Sequence, residues 1–253
     1  MQITGRTIFI PGATSGIGLT LAVALQHEGN TVVVGGRRAD RLRAIADEHG
    51  LGTVQIDTAD PASIATAAQE VLTRHPDLDV VVAMAGIMRA EDWRSPSGFL
   101  ATAQETVVTN LLGPIRLVGA FVEHLLQRPA ATIVTVSSGL AFAPLAVTPT
   151  YNATKAAIHM LSESLRLQLA GTSVEVVELE PPAVRTELMP GHETNDAAMP
   201  LDEFVDEVMH ILRTTPDVTE VQVERVKFLR YGEARGDYDE VVRVLNAQDP
   251  HGR

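Results

Sequence analysis

The chain has 253 residues, 45% of them hydrophobic, which is compatible with one α/β domain around a sizeable buried core. The formal net charge is −12, and so acidic a surface argues against a nucleic-acid partner, which needs clustered Lys and Arg. Cysteine is absent, which excludes disulfides, a thiolate nucleophile and a thiolate metal site.

Short apolar runs alternate with helical patterns along the chain. Runs at 7–10, 31–35, 53–57, 79–83, 132–136 and 174–179 predict buried strands. Between them the spacing of apolar residues predicts helices at 16–28, 39–49, from 61 onwards, at 102–127 and from Tyr151 to about 170. Asp60 and Pro61 mark one helix start, as N-cap and first helical residue. An irregular segment at 181–200 precedes an acidic helix at 201–213, a strand at 219–223 and a last helix at 239–245.

This alternation predicts a parallel sheet that is covered by helices on both faces. Right-handed crossovers make the doubly wound sheet the natural result. We therefore predict one Rossmann-type α/β domain over residues 1–253, with about seven mostly parallel strands in the order 3-2-1-4-5-6-7 and helices on both faces. The segment at about 181–213 is predicted to form a mobile loop or lid over the substrate.

A glycine-rich turn lies between the first predicted strand and the first predicted helix. It reads Gly12-Ala13-Thr14-Ser15-Gly16-Ile17-Gly18. Glycine at such a position allows a tight turn and lets backbone amides approach a pyrophosphate at a helix N-terminus. The same glycines could serve only the geometry of the turn, but the strand–turn–helix context favours dinucleotide binding.

The end of the second strand indicates which dinucleotide is bound. An acidic residue there would hold a ribose 2′-hydroxyl, but the chain has Arg37 and Arg38. Because a guanidinium matches a phosphate bidentately, we predict NADP(H) over NAD(H). The alternative is that both arginines are solvated residues at a helix start. Asp57 could reach an adenine amino group or could cap the end of its strand.

Tyr151 and Lys155 are four residues apart, so they share one face of a helix. Such a pair alone is common on solvent-facing helices. A tyrosine of pKa ~10 needs roughly 4 kcal/mol to ionise near neutral pH, and one cation near 4 Å could supply a gross term of that size. The pair could therefore transfer a proton if the chain also supplies a cofactor site and a neighbouring hydroxyl.

An ordered set of motifs runs through the chain: the glycine turn, Ala85-Gly86, Asn110, Ser138, Tyr151-x-x-x-Lys155 and the run from Pro181 through Val184 to Thr186. This set resembles the short-chain dehydrogenase/reductase family over about residues 5 to 190. The stretch from Pro181 to Leu188 also resembles the branch that includes DltE-type oxidoreductases. Pro11, Ala83-Met84 and Pro182 depart from the residues that are usual in the family.

The resemblance implies specific roles. Tyr151 would be the general acid/base, Lys155 would hold the nicotinamide ribose and lower the tyrosine pKa, Ser138 would orient the carbonyl, and Asn110 would anchor a relay water. The cofactor would contact Gly12, Thr14, Ser15, Gly16, Ile17, Gly18, Arg37, Arg38, Asp57, Thr58, Ala85, Gly86, Asn110, Tyr151, Lys155, Pro181, Val184 and Thr186.

The function expected from these residues is NADP(H)-dependent interconversion of a carbonyl and an alcohol. The alternative is a non-catalytic redox sensor that only binds the nucleotide. The predicted substrate is small and apolar, with contacts from Ser138, Leu140, Phe142, Leu145, Tyr151, Leu188 and Met189. We expect no metal, because His192-Glu193 begins like a zinc motif but has Asp196 at its fifth position.

The N-terminus and the apolar runs indicate where the protein is located, and the resemblance indicates its oligomeric state. The N-terminus lacks the layout of a signal peptide, and no apolar run approaches ~18 residues. We therefore expect a cytoplasmic protein with no membrane segment. A homodimer or homotetramer is implied by the resemblance, through the helices around Asn110 and Tyr151.

Overall fold

The computed structural model describes residues 3–95 and 98–247, so the two ends of the predicted domain, at 1 and 253, lie outside the described residues. Seven strands form one sheet, and every ladder in it is parallel. The strands are β1 Thr7–Pro11, β2 Thr31–Gly36, β3 Gly52–Gln55, β4 Val80–Ala83, β5 Ala131–Val136, β6 Val174–Leu179 and β7 Glu220–Val221. Their order is β3-β2-β1-β4-β5-β6-β7, which confirms the predicted fold.

Helices cover both faces of this sheet. They are α1 Gly16–His27, α2 Ala39–His49, α3 Pro61–Arg74, α4 Leu100–Val107, α5 Gly113–Leu126, α6 Pro149–Gln168, α7 Leu201–Thr214, α8 Lys227–Arg230, α9 Gly232–Arg235 and α10 Tyr238–Ala247. Apolar side chains of α1, α2 and α7 pack on one face, and those of α3, α5 and α6 pack on the other. The strands are buried on both sides, which is why they consist of nearly unbroken apolar runs.

Most predicted boundaries agree with the structure, and the differences have local causes. The third strand ends at Gln55 rather than at the predicted Asp57, because the Asp57 side chain accepts a hydrogen bond from Ala59 N at 3.0 Å and closes a turn. The last strand has two residues instead of the predicted five. The short helices α8 and α9 have no counterpart in the prediction.

The helical run Leu100–Leu126 consists of α4, a π-helical turn at Val108–Leu112, and α5. It is 27 residues long and contains an 18-residue stretch with a mean hydropathy of 1.2, so by length and composition it could cross a membrane. The expectation that no apolar run approaches ~18 residues did not anticipate this helix. One such helix is weak evidence for a membrane, because a helix that packs against a protein core meets the same criterion.

Candidate active site

A cleft of about 660 Å³ opens at the carboxyl ends of the strands, and the residues after β1, β2, β4, β5 and β6 line it. This position is the usual ligand site of an open parallel sheet, because the chain leaves β1 and β4 towards opposite faces and the two turns separate. The sheet order therefore brings together segments that are more than 100 residues apart in sequence, including the glycine turn and the start of α6.

The glycine turn forms one end of the cleft. Gly12 has a φ of +87°, and a Cβ added there would lie 2.7 Å from Ala85 Cα, so only glycine fits. The helix α1 that follows has Ser15 as N-cap without a side-chain capping bond, and its first turn has no acidic residue. Its N-terminal amides therefore face the cleft as an anion site. The turn fits the pyrophosphate of a dinucleotide.

Arginine side chains surround the adjoining part of the cleft. Arg37 and Arg38 follow β2, are exposed, and both line the cleft. Arg41 donates its Nε proton to the carbonyl oxygen of Thr14 at 3.1 Å and so braces the glycine turn from α2. Sequence reasoning missed Arg41, although its place one turn into a helix that starts at the arginine pair was a usable signal.

The third candidate contact at this end of the cleft is Asp57. It lines the cleft together with Thr58. One of its oxygens, Oδ1, is used by the turn at Ala59. Its predicted second role, as a cap at the end of the strand, is therefore present, and contact with adenine stays a prediction.

Ser138, Tyr151 and Lys155 lie together at the centre of the cleft. Ser138 follows β5, and the other two stand one turn apart on α6. The side chains are buried, with 7% of Tyr151 and 5% of Lys155 exposed. The Ser138 hydroxyl accepts from Leu140 N at 3.1 Å, and it neighbours the Tyr151 phenol, whose pKa it lowers. Lys155 Nζ donates to the carbonyl oxygen of Val136 at 2.7 Å and lies 5.5 Å from the centre of the Tyr151 ring.

Burial decides the protonation of both groups. It raises the pKa of Tyr151 to about 12, against a smaller lowering by the Ser138 hydroxyl. It lowers the pKa of Lys155 to about 8, against the charge of Glu178, which raises it. The expected lowering of the tyrosine pKa by Lys155 is not found: burial raises this pKa, and the lowering that opposes burial comes from Ser138. Near pH 7 the site therefore has a neutral phenol, which is a proton donor, beside an ammonium group.

Asn110 occupies the π-helical turn between α4 and α5, directly behind the cleft. Its side chain is 1% exposed. Its Oδ1 accepts from Ile87 N and its Nδ2 donates to Ile87 O, both at 2.8 Å. Asn110 is not among the residues that line the cleft, whereas Gly86 and Ile87 are. Its side chain therefore fixes the segment after β4, and contact with a cofactor or a relay water stays a prediction.

Leucine side chains line the part of the cleft that was predicted to hold the substrate. Leu140, Leu145 and Leu188 line it as predicted, but Phe142 and Met189 do not. Phe142 packs instead against the Arg230 guanidinium at 4.2 Å and against the His159 ring. Met189 is 2% exposed and lies behind the wall, in a cluster with Met88, Leu145 and Tyr151.

Two further wall residues, Leu229 and Leu245, come from the C-terminal part of the chain. Asn246, next to Leu245, holds the segment after β5: its Oδ1 accepts from Ala146 N at 2.7 Å and its Nδ2 donates to Pro144 O at 3.0 Å. Nothing in the local pattern marks these residues, because they meet the cleft only through contacts made across about 100 residues of chain.

The segment predicted to form a lid divides into two parts. Pro181, Val184 and Thr186 line the cleft, and a parallel bridge joins Val184 to Met199. From Leu201 onwards the segment forms α7, which buries Phe204 and other apolar residues in the core. Only the loop at 181–200 therefore borders the cleft.

Four possible metal ligands lie close together beside the cleft: His159, Glu178, Glu180 and Glu220 have ligand atoms within 4.8 Å of one another. Two arginines already bridge the carboxylates. Arg166 is 3.3 Å from Glu178, and Arg230 is 3.5 Å from Glu180 and 3.3 Å from Glu220. The cluster has the composition of a buried ion-pair network.

Comparisons with known proteins agree with this geometry. The model of the protein family described as short chain dehydrogenase matches residues 6–197. DltE, an uncharacterized oxidoreductase of Bacillus subtilis (strain 168), is 37% identical over 98% of this chain and 100% of its own length.

Solved structures share the fold. A short chain dehydrogenase from Burkholderia cenocepacia J2315 in complex with NADP has a TM-score of 0.81 at 25% identity, and the match covers 97% of this chain and 99% of that one. A 3-ketoacyl-(acyl-carrier-protein) reductase from Brucella melitensis complexed with NADH has a TM-score of 0.77 at 21% identity, covering 89% and 100%; this likeness shows the fold alone. The chain belongs to the short-chain dehydrogenase/reductase family of oxidoreductases, and within it is similar to DltE.

Proposed function

We propose that the protein interconverts a small apolar ketone or aldehyde and the corresponding alcohol, with NADP(H) as cofactor and Tyr151 as general acid/base. The observation that carries the proposal is the meeting of Ser138, Tyr151 and Lys155 inside one cleft with the glycine turn and the two arginines. A protein that only senses the nucleotide has no physical need for the buried phenol and ammonium, which are costly to desolvate.

Each group at the site has a separate proposed role. When bound, the nicotinamide supplies the hydride. The neighbouring hydroxyls of Ser138 and Tyr151, which both line the cleft, orient the carbonyl oxygen, and the neutral Tyr151 phenol gives it a proton. The Lys155 ammonium stabilises the phenolate that is left. Leu140, Leu145, Leu188, Leu229 and Leu245 surround the carbon substituents and favour an uncharged substrate.

The loop at 181–200 is proposed to close over the substrate, and Pro181, Val184 and Thr186 to contact the nicotinamide end of the cofactor. Their place on the rim of the cleft supports both roles. The domain is proposed to extend over the whole chain, because β6, β7 and α7 share one sheet and one core with the glycine turn.

The test is NADPH oxidation with a panel of small apolar ketones and aldehydes. We expect turnover by the wild type and a loss of about 10²–10⁴-fold in kcat for Tyr151→Phe. Tyr231→Phe is the matched control, because the Tyr231 hydroxyl donates to Gln222 away from the cleft. Full activity of the Tyr151 variant would overturn the assigned role. Nucleotide binding without turnover of any substrate would favour the redox sensor.

A further inference from the structure

A layer of polar side chains separates α6 from the sheet beneath the active site. Thr135 of β5 extends into this layer, as do Ser137, which directly follows β5, and Glu178 of β6. His159, Ser162 and Arg166 enter it from α6. A contact between helix and parallel sheet is normally apolar, so a buried carboxylate in this layer needs an explanation.

Glu178 is held by three hydrogen-bond donors and is fully buried. Ser137 Oγ donates to its Oε1 at 2.5 Å. His159 Nδ1 lies 3.0 Å from Oε1 and 3.1 Å from Oε2, and Arg166 donates to Oε2 at 3.3 Å. A carboxylate is the form that accepts from several donors at once. Glu178 therefore places a fixed negative charge under α6.

Two connections bring this charge to the catalytic lysine. Lys155 Nζ donates to the carbonyl oxygen of Val136, and the next residue, Ser137, donates to Glu178. His159, which contacts Glu178, stands four residues after Lys155, so Tyr151, Lys155 and His159 follow one another on one stripe of α6. The charge of Glu178 acts on Lys155 in the direction that keeps it protonated.

We propose that Glu178 is a positioning residue for the proton transfer, whose buried carboxylate is the counter-charge that keeps Lys155 an ammonium ion beside Tyr151. Desolvation alone would favour the neutral amine. A neutral amine would neither stabilise the phenolate nor hold a ribose as a charged donor. The inference rests on the proposed function for its catalytic meaning, but not for the pairing of the two charges.

Other charged groups pack around the same layer. Arg166 pairs with Glu178 and Glu220, and Arg230 pairs with Glu180 and Glu220. Burial, together with the charges of Glu178 and Glu220, raises the pKa of Glu180 to about 8. Glu163 lies 3.9 Å from His159 at the outer end of the stripe. Only Glu178 both contacts α6 at His159 and connects through Ser137 to the peptide that binds Lys155.

The chain offers a direct test, because Lys155 and Lys227 are its two lysines. NMR of lysine labelled with 13C and 15N can follow both titrations in the protein without any substrate. In Glu178→Gln we expect Lys155 to lose its proton about one pH unit lower than in the wild type. Lys227, a half-exposed residue paired with Glu224, is the internal reference and should not change.

Two further variants complete the experiment. Glu175→Gln removes the same charge from an exposed position on the same strand and should leave the Lys155 titration unchanged. Glu178→Asp keeps the charge one methylene further back and should give an intermediate shift, and it also serves if the Gln variant does not fold. An unchanged Lys155 titration in Glu178→Gln, or in Glu178→Asp if that is the variant that folds, would overturn the proposal.

The pH profile of alcohol oxidation supplies the second readout. The ammonium is present below the Lys155 pKa, so activity should fall as pH rises through that pKa. In Glu178→Gln this alkaline fall should begin about one pH unit lower, with little loss at pH 6. An equal loss at every pH would indicate a merely structural role and contradict the proposal. If the proposed function fails, no variant turns over, and the NMR titration still decides the pairing.

Discussion

At the scale of the residue, the sequence predicts some members of the site and not others. Glycines at 12, 16 and 18 could be placed at the site from their position between a strand and a helix, and Ser138, Tyr151 and Lys155 from the resemblance to the family. The role of Glu178 could not be predicted. In the sequence it is only a polar residue that interrupts an apolar strand, and the structure is needed to show that α6 lies over it. Phe142 was predicted to face the substrate, but it lies outside the cleft lining and makes a cation–π contact with the Arg230 guanidinium.

The arginines after β2 carry the prediction about the cofactor. Each would give a charge-assisted hydrogen bond to a 2′-phosphate, worth about 1.5–3 kcal/mol, or roughly 10- to 100-fold in affinity. Arg37→Ala and Arg38→Ala should therefore reduce the preference for NADPH over NADH by about that factor each, as measured by Kd for both nucleotides. Arg43→Ala, an exposed arginine on α2 outside the cleft lining, is the control. If both variants kept the wild-type preference for NADPH over NADH, the assignment of these arginines to the 2′-phosphate would be contradicted.

At the scale of the element, strand and helix positions were predictable because the period of apolar residues is typical of one kind of element. The strand order followed from the alternation of strands and helices, which is typical of a doubly wound sheet. Asp60 is an example: its side chain accepts from Ala62 N at the start of α3, as its place before Pro61 predicts. The pocket wall from α10 was not predictable, since an amphipathic helix shows which face is buried but not what it is buried against.

Asn246 of α10 clamps the segment after β5 through its hydrogen bonds to Ala146 and Pro144, and this clamp gives a prediction at the scale of the element. Asn246→Ala removes hydrogen bonds to Pro144 and Ala146 and should release the wall that contains Leu245. We expect KM for the substrate to rise several-fold with little change in kcat, and the free energy of unfolding to fall by about 1–2 kcal/mol. Arg243→Ala, exposed on the same helix, should change neither. A loss confined to kcat would show that the clamp does something other than shape the pocket.

At the scale of the whole molecule, exposed apolar side chains on the packed helices α4, α5 and α6 suggest self-association. Leu100, Ile115, Met160 and Leu167 are between 43% and 80% exposed. We propose a homodimer or homotetramer formed through this face, which the resemblance to the family also implies. Sedimentation should give about two or four times the 27.1 kDa of one chain.

A charge on this face should reduce that mass. Met160→Glu is expected to shift the protein towards the single chain, because a desolvated carboxylate without a partner opposes association. Phe228→Glu replaces an exposed apolar residue on α8, outside the proposed face, and should leave the mass unchanged. A single-chain mass for the wild type would contradict the proposal.

The central claim, hydride transfer to a carbonyl with a proton from Tyr151, is tested most directly by following the hydrogen itself. NADPH that carries deuterium at the transferring position of the nicotinamide would be incubated with the protein and the best ketone of the panel, and the alcohol analysed by mass spectrometry. The account predicts one deuterium on the carbinol carbon with the wild type and almost no alcohol with Tyr151→Phe. Unlabelled alcohol, equal labelling by the Tyr151 variant, or no alcohol from a protein that binds NADPH would contradict it.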